Sequence, residues 1–319
     1  MHPVIEQLKL VGLVPVIKLN DPEKAVPLAK ALVKGGIPVA EVTFRAAGAD
    51  KAIAAIAKEV PEVLVGAGTV ITIDQVKQAV SAGAKYIISP GFDKEVVQYC
   101  VDNNIPITPG CTNPSEVSIA TKMGLEAVKF FPAEAMGGLK VIKSLAGPFP
   151  KMRFIPTGGI GPDNLKDYLA FDKIIACGGS WMVPEKLIDN EDWDAITALA
   201  KEAVLNMLNI TLCHIGINSA DNDTCEATAN SIAQLTGALT KPGNSSVFVG
   251  SQFEIMRKVG RGTNGHIALG VSNVERAVRY FESQGFEFEK DSLVSDEKGA
   301  KAIYFKGEFG GFGIHLLRK

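Results

Sequence analysis

The stretch EAVKFFP (126–132) is a short apolar run with a lysine, Lys129, at its centre. Seven similar runs share the first two thirds of the chain with it, separated by helical stretches with one polar face. They are VGLVPVI (11–17), IPVAEVTF (37–44), VLVGAGT (63–69), KYIISP (85–90), IPITPG (105–110), RFIPTGG (153–159) and KIIACGG (173–179). Eight strands alternating with helices within roughly 200 residues predict an α/β fold, namely a (β/α)8 TIM barrel. An open doubly wound sheet is the alternative, and the even spacing of the eight units favours the barrel.

After Asn209 the pattern changes to an internal repeat. One unit begins at His214 and the next at His266, 52 residues later, and each reads as a strand, a polar turn, an amphipathic helix and further strands. Such repeats usually pack on each other to complete one core. We predict a barrel domain at residues 1–210 and a C-terminal α+β domain at 213–319. The latter consists of two βαβββ modules, at 213–259 and 265–319.

Composition excludes several classes of protein. The 319 residues carry a net charge of -2, without a Lys/Arg cluster, so we expect neither nucleic acid nor a membrane as a partner. The five cysteines form no CxxC pair, and their odd number argues against a disulfide framework. No leader and no apolar run of membrane-spanning length is evident. A reduced, cytoplasmic protein is expected.

Alternate residues of a barrel strand point inward, which assigns direction to two charged side chains. In EAVKFFP the neighbours of Lys129 on the opposite face, Val128 and Phe130, are apolar, so Lys129 points into the barrel. In IPVAEVTFRA, Glu41 shares the inward face with Thr43 and Arg45. Pro132 ends the lysine strand, which places Lys129 near the end where barrel enzymes carry out their chemistry.

An inward lysine beside an inward carboxylate indicates carbonyl chemistry. Burial disfavours the charged form of an amine, and a neutral lysine attacks carbonyl carbon to form a Schiff base. The resulting iminium accepts the electrons of an adjacent breaking C–C bond, and Glu41 is the carboxylate available to move protons. The alternative is an internal ion pair that only fills the barrel.

Paired glycines follow the last two strands, in PTGGIGPDN (156–164) and CGGSW (177–181). Adjacent glycines let backbone N–H groups approach an anion, and barrels bind phosphate in the loops after strands seven and eight. A single GG pair is more often a plain turn, but two at these positions favour a phosphate site. Thr69 ends strand three, where its hydroxyl either meets the substrate or bonds to local backbone.

The motifs EVTFR, GAGTV, ISPG, KFFPAE, PTGGI and GGSW, in this order, resemble the 2-keto-3-deoxy-6-phosphogluconate (KDPG) and 2-keto-4-hydroxyglutarate (KHG) aldolase family. The resemblance runs from about Val4 to Leu208. It implies a metal-free class I aldolase, usually a homotrimer, that acts on a small keto acid. The expected reaction cleaves KDPG to pyruvate and glyceraldehyde 3-phosphate, and also 4-hydroxy-2-oxoglutarate to pyruvate and glyoxylate.

The same resemblance implies roles for individual residues. Lys129 corresponds to the Schiff-base lysine and Glu41 to the proton shuttle. The pyruvyl carboxylate is assigned to Arg45 and Thr69, the pocket lining to Pro90 and Phe131, and the phosphate to Thr157, Gly158, Gly159, Gly179 and Ser180. Lys18 stands where many members carry a phosphate-binding arginine, and lysine keeps the charge but lacks the bidentate fork. Ala46 replaces a threonine of many relatives, next to the arginine.

The C-terminal repeat resembles, more loosely, the vicinal-oxygen-chelate group, the glyoxalase and bleomycin-resistance fold. Aligning the RK pairs that end the two units sets Glu254 opposite His315. Members often bind a divalent metal through the first and last strands of each module, which here hold His214, Glu254, His266 and His315. The alternative is a remnant site in a domain used for oligomerisation or small-molecule binding.

Three classes of function remain open from the sequence. They are an aldolase with an accessory domain, an enzyme with two activities, and a binding protein on an inactive barrel. Within the aldolase class, the alternative substrate is a related 2-keto-3-deoxy sugar acid, with a metal-dependent C-terminal domain that is separately active or binds a ligand. The joint presence of Lys129, Glu41 and Arg45 disfavours the inactive barrel.

Overall fold

A computed structural model describes residues 1–319, which form two compact units, Met1–Met207 and Leu208–Lys319. The N-terminal unit alternates strands and helices. Its strands are β1 (Leu13–Ile17), β2 (Val39–Thr43), β3 (Leu64–Gly68), β4 (Ile87–Ile88), β5 (Ile107–Thr108), β6 (Ala127–Phe130), β7 (Arg153–Pro156) and β8 (Cys177–Gly179). Each of the eight predicted runs contains one of these strands.

Ten helices accompany these strands. They are α1 (Pro3–Val11), α2 (Ala25–Lys34), α3 (Ala49–Glu59), α4 (Ile73–Ser81), α5 (Lys94–Asp102), α6 (Pro114–Lys122), α7 (Gly138–Ala146), α8 (Leu165–Leu169), α9 (Glu185–Asp189) and α10 (Trp193–Leu208). Short 3₁₀ turns lie at Pro22–Lys24 and Glu134–Met136. Val11, the first residue of the first predicted strand, instead ends α1.

Side-chain caps determine where several of these helices begin. The Thr72, Asp93 and Asn113 side chains accept hydrogen bonds from the backbone N–H groups three residues ahead, at 3.2, 2.9 and 3.1 Å. Each bond satisfies a donor that the first helical turn leaves without a partner. The caps start α4, α5 and α6 after connections of four or five residues from the preceding strands.

The strands of the N-terminal unit pair in parallel. The order β5-β4-β3-β2-β1-β8 forms one sheet, and β6 pairs with β7. A parallel bridge from Gly110 to Lys129 links the segment after β5 to β6, and another from Thr157 to Gly178 links the segment after β7 to β8. The predicted α/β fold with a parallel sheet is therefore confirmed, and the carboxyl ends of its strands lie on one side.

The C-terminal unit contains one eight-stranded sheet in the order β10-β11-β12-β9-β13-β16-β15-β14. Its elements are β9 (Thr211–Ile217), α11 (Asn222–Thr236), β10 (Thr240–Pro242), β11 (Ser246–Val249), β12 (Phe253–Met256), β13 (Gly265–Val271), α12 (Val274–Ser283), β14 (Phe288–Asp296), β15 (Gly299–Phe305) and β16 (Phe312–Arg318). The strands β9 and β13 pair antiparallel, and each pairs in parallel with the last strand of its own half.

The registers of this sheet relate its two halves residue by residue. Ile215 lies opposite Ile267 on the central pair. Gly216 lies opposite Glu254 in one half, and Ala268 lies opposite His315 in the other. Glu254 and His315 therefore occupy equivalent places, as the alignment of the repeats predicts.

No helix of the structure is both long enough and apolar enough to cross a lipid bilayer.

Candidate active site

A buried ion pair joins Lys129 of β6 to Glu41 of β2. The two residues are 5% and 1% exposed, and the Lys129 Nζ donates to the Glu41 Oε1 at 3.3 Å. Removing an ion from water costs several kcal/mol unless a partner compensates for the lost hydration. Here Lys129 and Glu41 each compensate for the lost hydration of the other. Both side chains are buried between strands, in agreement with the inward directions predicted from strand alternation.

Two glycines of β3 make room for neighbouring side chains, one for Glu41 and the other for Tyr86. A Cβ atom at Gly68 would lie 2.2 Å from the Glu41 Oε1, and one at Gly66 would lie 2.4 Å from the Tyr86 ring. The Tyr86 hydroxyl donates to the Ala40 carbonyl oxygen at 2.9 Å. Burial, followed by the negative charge of Glu41, raises the pKa of Tyr86 well above its usual value. Tyr86 is therefore neutral at physiological pH.

A cavity of about 370 Å³ opens above the lysine. Its wall consists of Val16, Arg45, Thr69, Pro90, Lys129, Phe131, Thr157, Gly158, Gly159, Ile160, Gly179 and Ser180. The Lys129 Nζ lies 5.1 Å from the centre of the Phe131 ring, which shields one side of the amine from water. Every predicted substrate-binding residue lies in this wall except Lys18, and Val16 and Ile160 are additional members that the sequence did not indicate.

Arg45 is oriented by a chain of hydrogen bonds. The Arg45 Nε donates to the Thr43 Oγ1 at 3.3 Å, and that hydroxyl donates to the Ile17 carbonyl oxygen at 2.8 Å. Thr69, also in the wall, has a φ of 56°, in the left-handed region that β-branched residues rarely adopt. Such strain costs of order 1–3 kcal/mol and is concentrated at functional sites. The cavity thus has one oriented cation and one strained hydroxyl residue beside the lysine.

The glycine loop after β7 forms another side of the cavity together with the end of β8, where the second glycine pair belongs to the strand itself. Gly158 and Gly159 have φ values of 95° and 80°, which only glycine adopts without strain. Asn164 holds this loop, since its Nδ2 donates to the Gly159 carbonyl oxygen at 2.9 Å. A Cβ atom at Gly178 would lie 2.4 Å from the Thr157 Oγ1. The absence of a side chain at Gly178 therefore leaves room for the Thr157 hydroxyl beside β8.

Glu134 and Tyr168 support the first glycine loop from behind. The Tyr168 hydroxyl donates to the Glu134 Oε1, and the Glu134 N–H donates to the Gly158 carbonyl oxygen at 3.1 Å. Burial, and then this hydrogen bond, raise the pKa of Tyr168 well above its usual value. A Cβ atom at Gly159 would lie 2.5 Å from the Glu134 Cγ. Apart from the presence of Glu134 in the KFFPAE motif, no sequence pattern predicted this contact.

Lys18 lies outside the cavity wall. Its Nζ donates to the Glu185 Oε2 at 3.0 Å, and the two side chains are 34% and 51% exposed. The predicted contact of Lys18 with a phosphate is therefore not preformed in the structure.

The four predicted residues of the C-terminal unit come together. Ring nitrogens of His214, His266 and His315 lie within 4.8 Å of one another. The Glu254 Oε2 lies 3.3 Å from the His214 Nε2 and 3.2 Å from the His266 Nε2. Hydrogen bonds from these two histidines lower the pKa of Glu254, so it is a carboxylate. Burial, and then the nearby His266, lower the pKa of His315 to about 4, so its imidazole is neutral at physiological pH.

A family model described as KDPG and KHG aldolase matches residues 4–199. The chain belongs to the KDPG and KHG aldolase family. The matched region contains the whole cavity, from Val16 to Ser180, and ends before the C-terminal histidines. The protein is accordingly an aldolase, a carbon–carbon lyase.

Known proteins of this aldolase family match the same region. The 2-dehydro-3-deoxy-phosphogluconate aldolase of Haemophilus influenzae is 48% identical over 201 residues, which cover 63% of this chain and 95% of that protein. The KHG/KDPG aldolase of Escherichia coli K12 is 50% identical over 191 residues, covering 60% and 90%. The crystal structure of the KDPG aldolase of Legionella pneumophila holds pyruvate captured at low pH as a covalent carbinolamine. It is 41% identical, with a TM-score of 0.60, and the match covers 62% of this chain and 96% of that one.

Proposed function

We propose that the protein cleaves 2-dehydro-3-deoxy-6-phosphogluconate to pyruvate and glyceraldehyde 3-phosphate through a Schiff base on Lys129, and that it also cleaves 4-hydroxy-2-oxoglutarate. The buried contact between Lys129 and Glu41, at the foot of a cavity lined by Arg45 and two glycine loops, is the observation that carries this proposal. The Legionella carbinolamine supports it, because a carbinolamine is the adduct of an amine with a ketone.

The reaction follows from the placement of these groups. Transfer of a proton from the Lys129 ammonium to Glu41 leaves a neutral amine, which attacks the C2 carbonyl to give a carbinolamine. Loss of water forms the iminium, while Arg45 and Thr69 hold the adjacent carboxylate. A base then removes the C4 hydroxyl proton, the C3–C4 bond breaks, and its electron pair moves into the iminium to give an enamine. Protonation of the enamine at C3, followed by addition of water, releases pyruvate and restores the amine.

Glu41 is placed to move the protons in this cycle. Its carboxylate lies 3.3 Å from the lysine nitrogen, within reach of the atoms bonded to that nitrogen. The iminium itself accepts the electrons of the breaking bond, so the proposed cycle uses no metal. The distal phosphate is assigned to the glycine loops with Thr157 and Ser180, and the pocket lining to Pro90 and Phe131. Lys18 reaches the phosphate only if its contact with Glu185 is released.

Borohydride trapping tests the proposal directly. Reduction in the presence of pyruvate should convert Lys129 to a stable secondary amine, identified by peptide mass spectrometry. Lys129→Ala should abolish both trapping and cleavage, whereas Lys140→Ala, at an exposed lysine of α7, should affect neither. A label on another lysine, or cleavage by Lys129→Ala, would overturn the mechanism.

The family resemblance also implies a homotrimer on a closed (β/α)8 barrel, and light scattering of the intact protein tests the trimer.

A second candidate function belongs to the C-terminal unit. Its two halves, at 213–259 and 265–319, are proposed to form a glyoxalase-like domain that binds one divalent metal. The support is the approach of three imidazoles to within 4.8 Å, together with the contact of Glu254 with two of them. Mixed imidazole and carboxylate ligands suit Zn, Ni, Mn or Fe. Because burial keeps His315 neutral, that imidazole has a lone pair available for a metal.

Elemental analysis of the full chain, after growth with these metals supplied, tests the second function. About one metal per chain is expected in the wild type and in His2→Ala, which changes the histidine outside the cluster. The His266→Ala variant should lose most of the metal. Equal metal contents in all three proteins, or none in the wild type, would contradict the proposal. Aldol cleavage should be indifferent to chelators throughout.

A further inference from the structure

The contact of Lys18 with Glu185 joins the two segments that follow β1 and β8, strands that contribute Val16 and Gly179 to the cavity wall. Lys18 directly follows β1, and Glu185 begins α9, the helix after β8. The strands β1 and β8 are neighbours, with Pro15 opposite Gly179. The two charged residues thus lie in segments that follow adjacent strands, and the segment that carries Glu185 begins with Ser180, directly after the glycine pair that ends β8.

A second contact fastens these segments together. The Lys24 Nζ donates to the Asp189 carbonyl oxygen at 2.8 Å and lies 3.5 Å from the Glu191 carboxylate. The helix that carries Glu185 is therefore tied at its other end to the segment after β1. This tie limits how far Glu185 can move away from Lys18 without a larger rearrangement.

The charges around the cavity give this contact a consequence. Of the residues in the wall, only Arg45 and Lys129 are cationic, and Lys129 is already paired with Glu41. Lys18 lies two residues after Val16 of the wall and would be a further cation there, but Glu185 pairs with it and offsets its charge. A phosphate dianion must compete with that carboxylate for the Lys18 amine, whereas a hydroxyl in the same position meets no such competition.

We propose that Glu185 is a specificity-determining residue that weakens the preference of the enzyme for phosphorylated substrates by holding Lys18 away from the substrate phosphate. This inference rests on the proposed cleavage of a phosphorylated sugar acid at the cavity. Glu185 acts through Lys18 and touches neither the reacting carbon atoms nor Lys129. Its effect therefore falls on KM for substrates with a terminal phosphate and leaves kcat unchanged.

The test compares two substrates that differ only at the terminal group, 2-dehydro-3-deoxy-6-phosphogluconate and its phosphate-free form. Glu185→Gln should lower KM for the phosphorylated substrate by about two- to fivefold, the range expected for an exposed charge pair. KM for the phosphate-free substrate should stay the same. The decrease in KM for the phosphorylated substrate should become smaller as the KCl concentration is raised, because salt screens exposed charges. Glu185→Asp, which keeps the charge, should behave more like the wild type.

A double variant assigns the effect to Lys18. When Lys18→Met is added to Glu185→Gln, KM for the phosphorylated substrate should no longer be lower than in the wild type. Three results would overturn the inference. KM for the phosphorylated substrate could be unchanged in Glu185→Gln, KM could change equally for both substrates, or the decrease in KM could persist when Lys18→Met is added. These results differ from failure of the proposed function, in which the wild type would cleave neither substrate and pyruvate would not be trapped on Lys129.

Discussion

The Lys129 ammonium and the Glu41 carboxylate lie 3.3 Å apart, and their side chains are only 7% and 1% exposed. The two residues are 88 positions apart in the chain, so the fold alone brings them together. Removal of one member of a buried pair leaves the other without compensation, at a cost of about 3–5 kcal/mol. The pair is therefore both the proposed reactive centre and a structural contact, and variants must be tested for folding as well as for activity.

Glu41→Gln should separate pyruvate binding from proton transfer. An amide occupies nearly the same volume but cannot act as a base, so proton exchange at the pyruvate methyl group should slow by about a hundredfold or more. Borohydride trapping of pyruvate on Lys129 should persist. Deuterium exchange followed by NMR measures the first quantity. Unchanged exchange would assign the proton transfer to Glu134 or to water.

Gly68→Ala should reproduce the loss of proton transfer without altering any titratable group. The new Cβ atom would lie 2.2 Å from the Glu41 Oε1, so the carboxylate must move. We expect the exchange rate at the pyruvate methyl group to fall by about tenfold or more, within the range for a misplaced base. Gly161→Ala is the matched control, because a Cβ atom there meets nothing within 4 Å. Equal exchange rates in the two variants would show that Glu41 tolerates displacement.

Ser180→Asp should discriminate against phosphate. A carboxylate at position 180 should repel the phosphate dianion that the proposed function assigns to this loop. KM for the phosphorylated substrate should rise by about tenfold or more, while KM for a phosphate-free hydroxyketo acid changes much less. Steady-state kinetics on both substrates measures this, with Ser180→Ala as the uncharged control. Equal increases for the two substrates would indicate that the loop only shapes the cavity.

The metal-free C-terminal unit should lose stability as the pH falls from about 6.5 to about 4. Burial, and then the nearby His266, lower the pKa of His315 from 6.5 to about 4 in the folded protein. Between these values the unfolded chain binds a proton that the folded chain does not, so protonation favours unfolding. The free energy of unfolding should fall by up to about 3 kcal/mol. Glu254 acts in the same direction below pH 4.5, because its pKa is also lowered.

Scanning calorimetry in the presence of a chelator measures this dependence. Both tryptophans of the chain, Trp181 and Trp193, lie in the N-terminal unit, so their fluorescence reports that unit separately. In His315→Gln the slope between pH 4 and 6.5 should flatten, since the titrating group is gone. A slope unchanged by this substitution would show that another group governs the transition.

The alternation of side chains along a strand predicted that Lys129 and Glu41 point inward. It did not predict the position of Lys18, which lies beyond the end of its strand. The rule that alternate residues share one face applies only within a continuous strand. Glu41 in β2 and Lys129 in β6 both meet this condition. Lys18 is two residues after Val16, which does line the cavity, but β1 ends at Ile17 and the direction is lost there. Arg45 also lies beyond its strand, yet it stays in the wall, where the Thr43 hydroxyl holds it.

The remaining omissions concern contacts between distant segments. Glu185 lies 167 residues from Lys18, and no local pattern links two exposed charges over that distance. Tyr168 and Glu134 are 34 residues apart and meet only because α8 follows the glycine loop that Glu134 supports. The sequence motifs identified the glycines of these loops. The side chains that support the loops could not be identified in this way, because their contacts depend on tertiary packing.

The equivalence of Glu254 and His315 has an evolutionary consequence. The central strands of the C-terminal sheet relate His214 to His266 by a local two-fold axis, and the same axis relates Glu254 to His315. The chain thus encodes the same pair of strand positions twice, in two copies that mutate independently. Three of the four positions are histidine, and the copies differ at one. A substitution in one half therefore leaves its counterpart in the other half unchanged, a freedom that a homodimer of identical modules lacks.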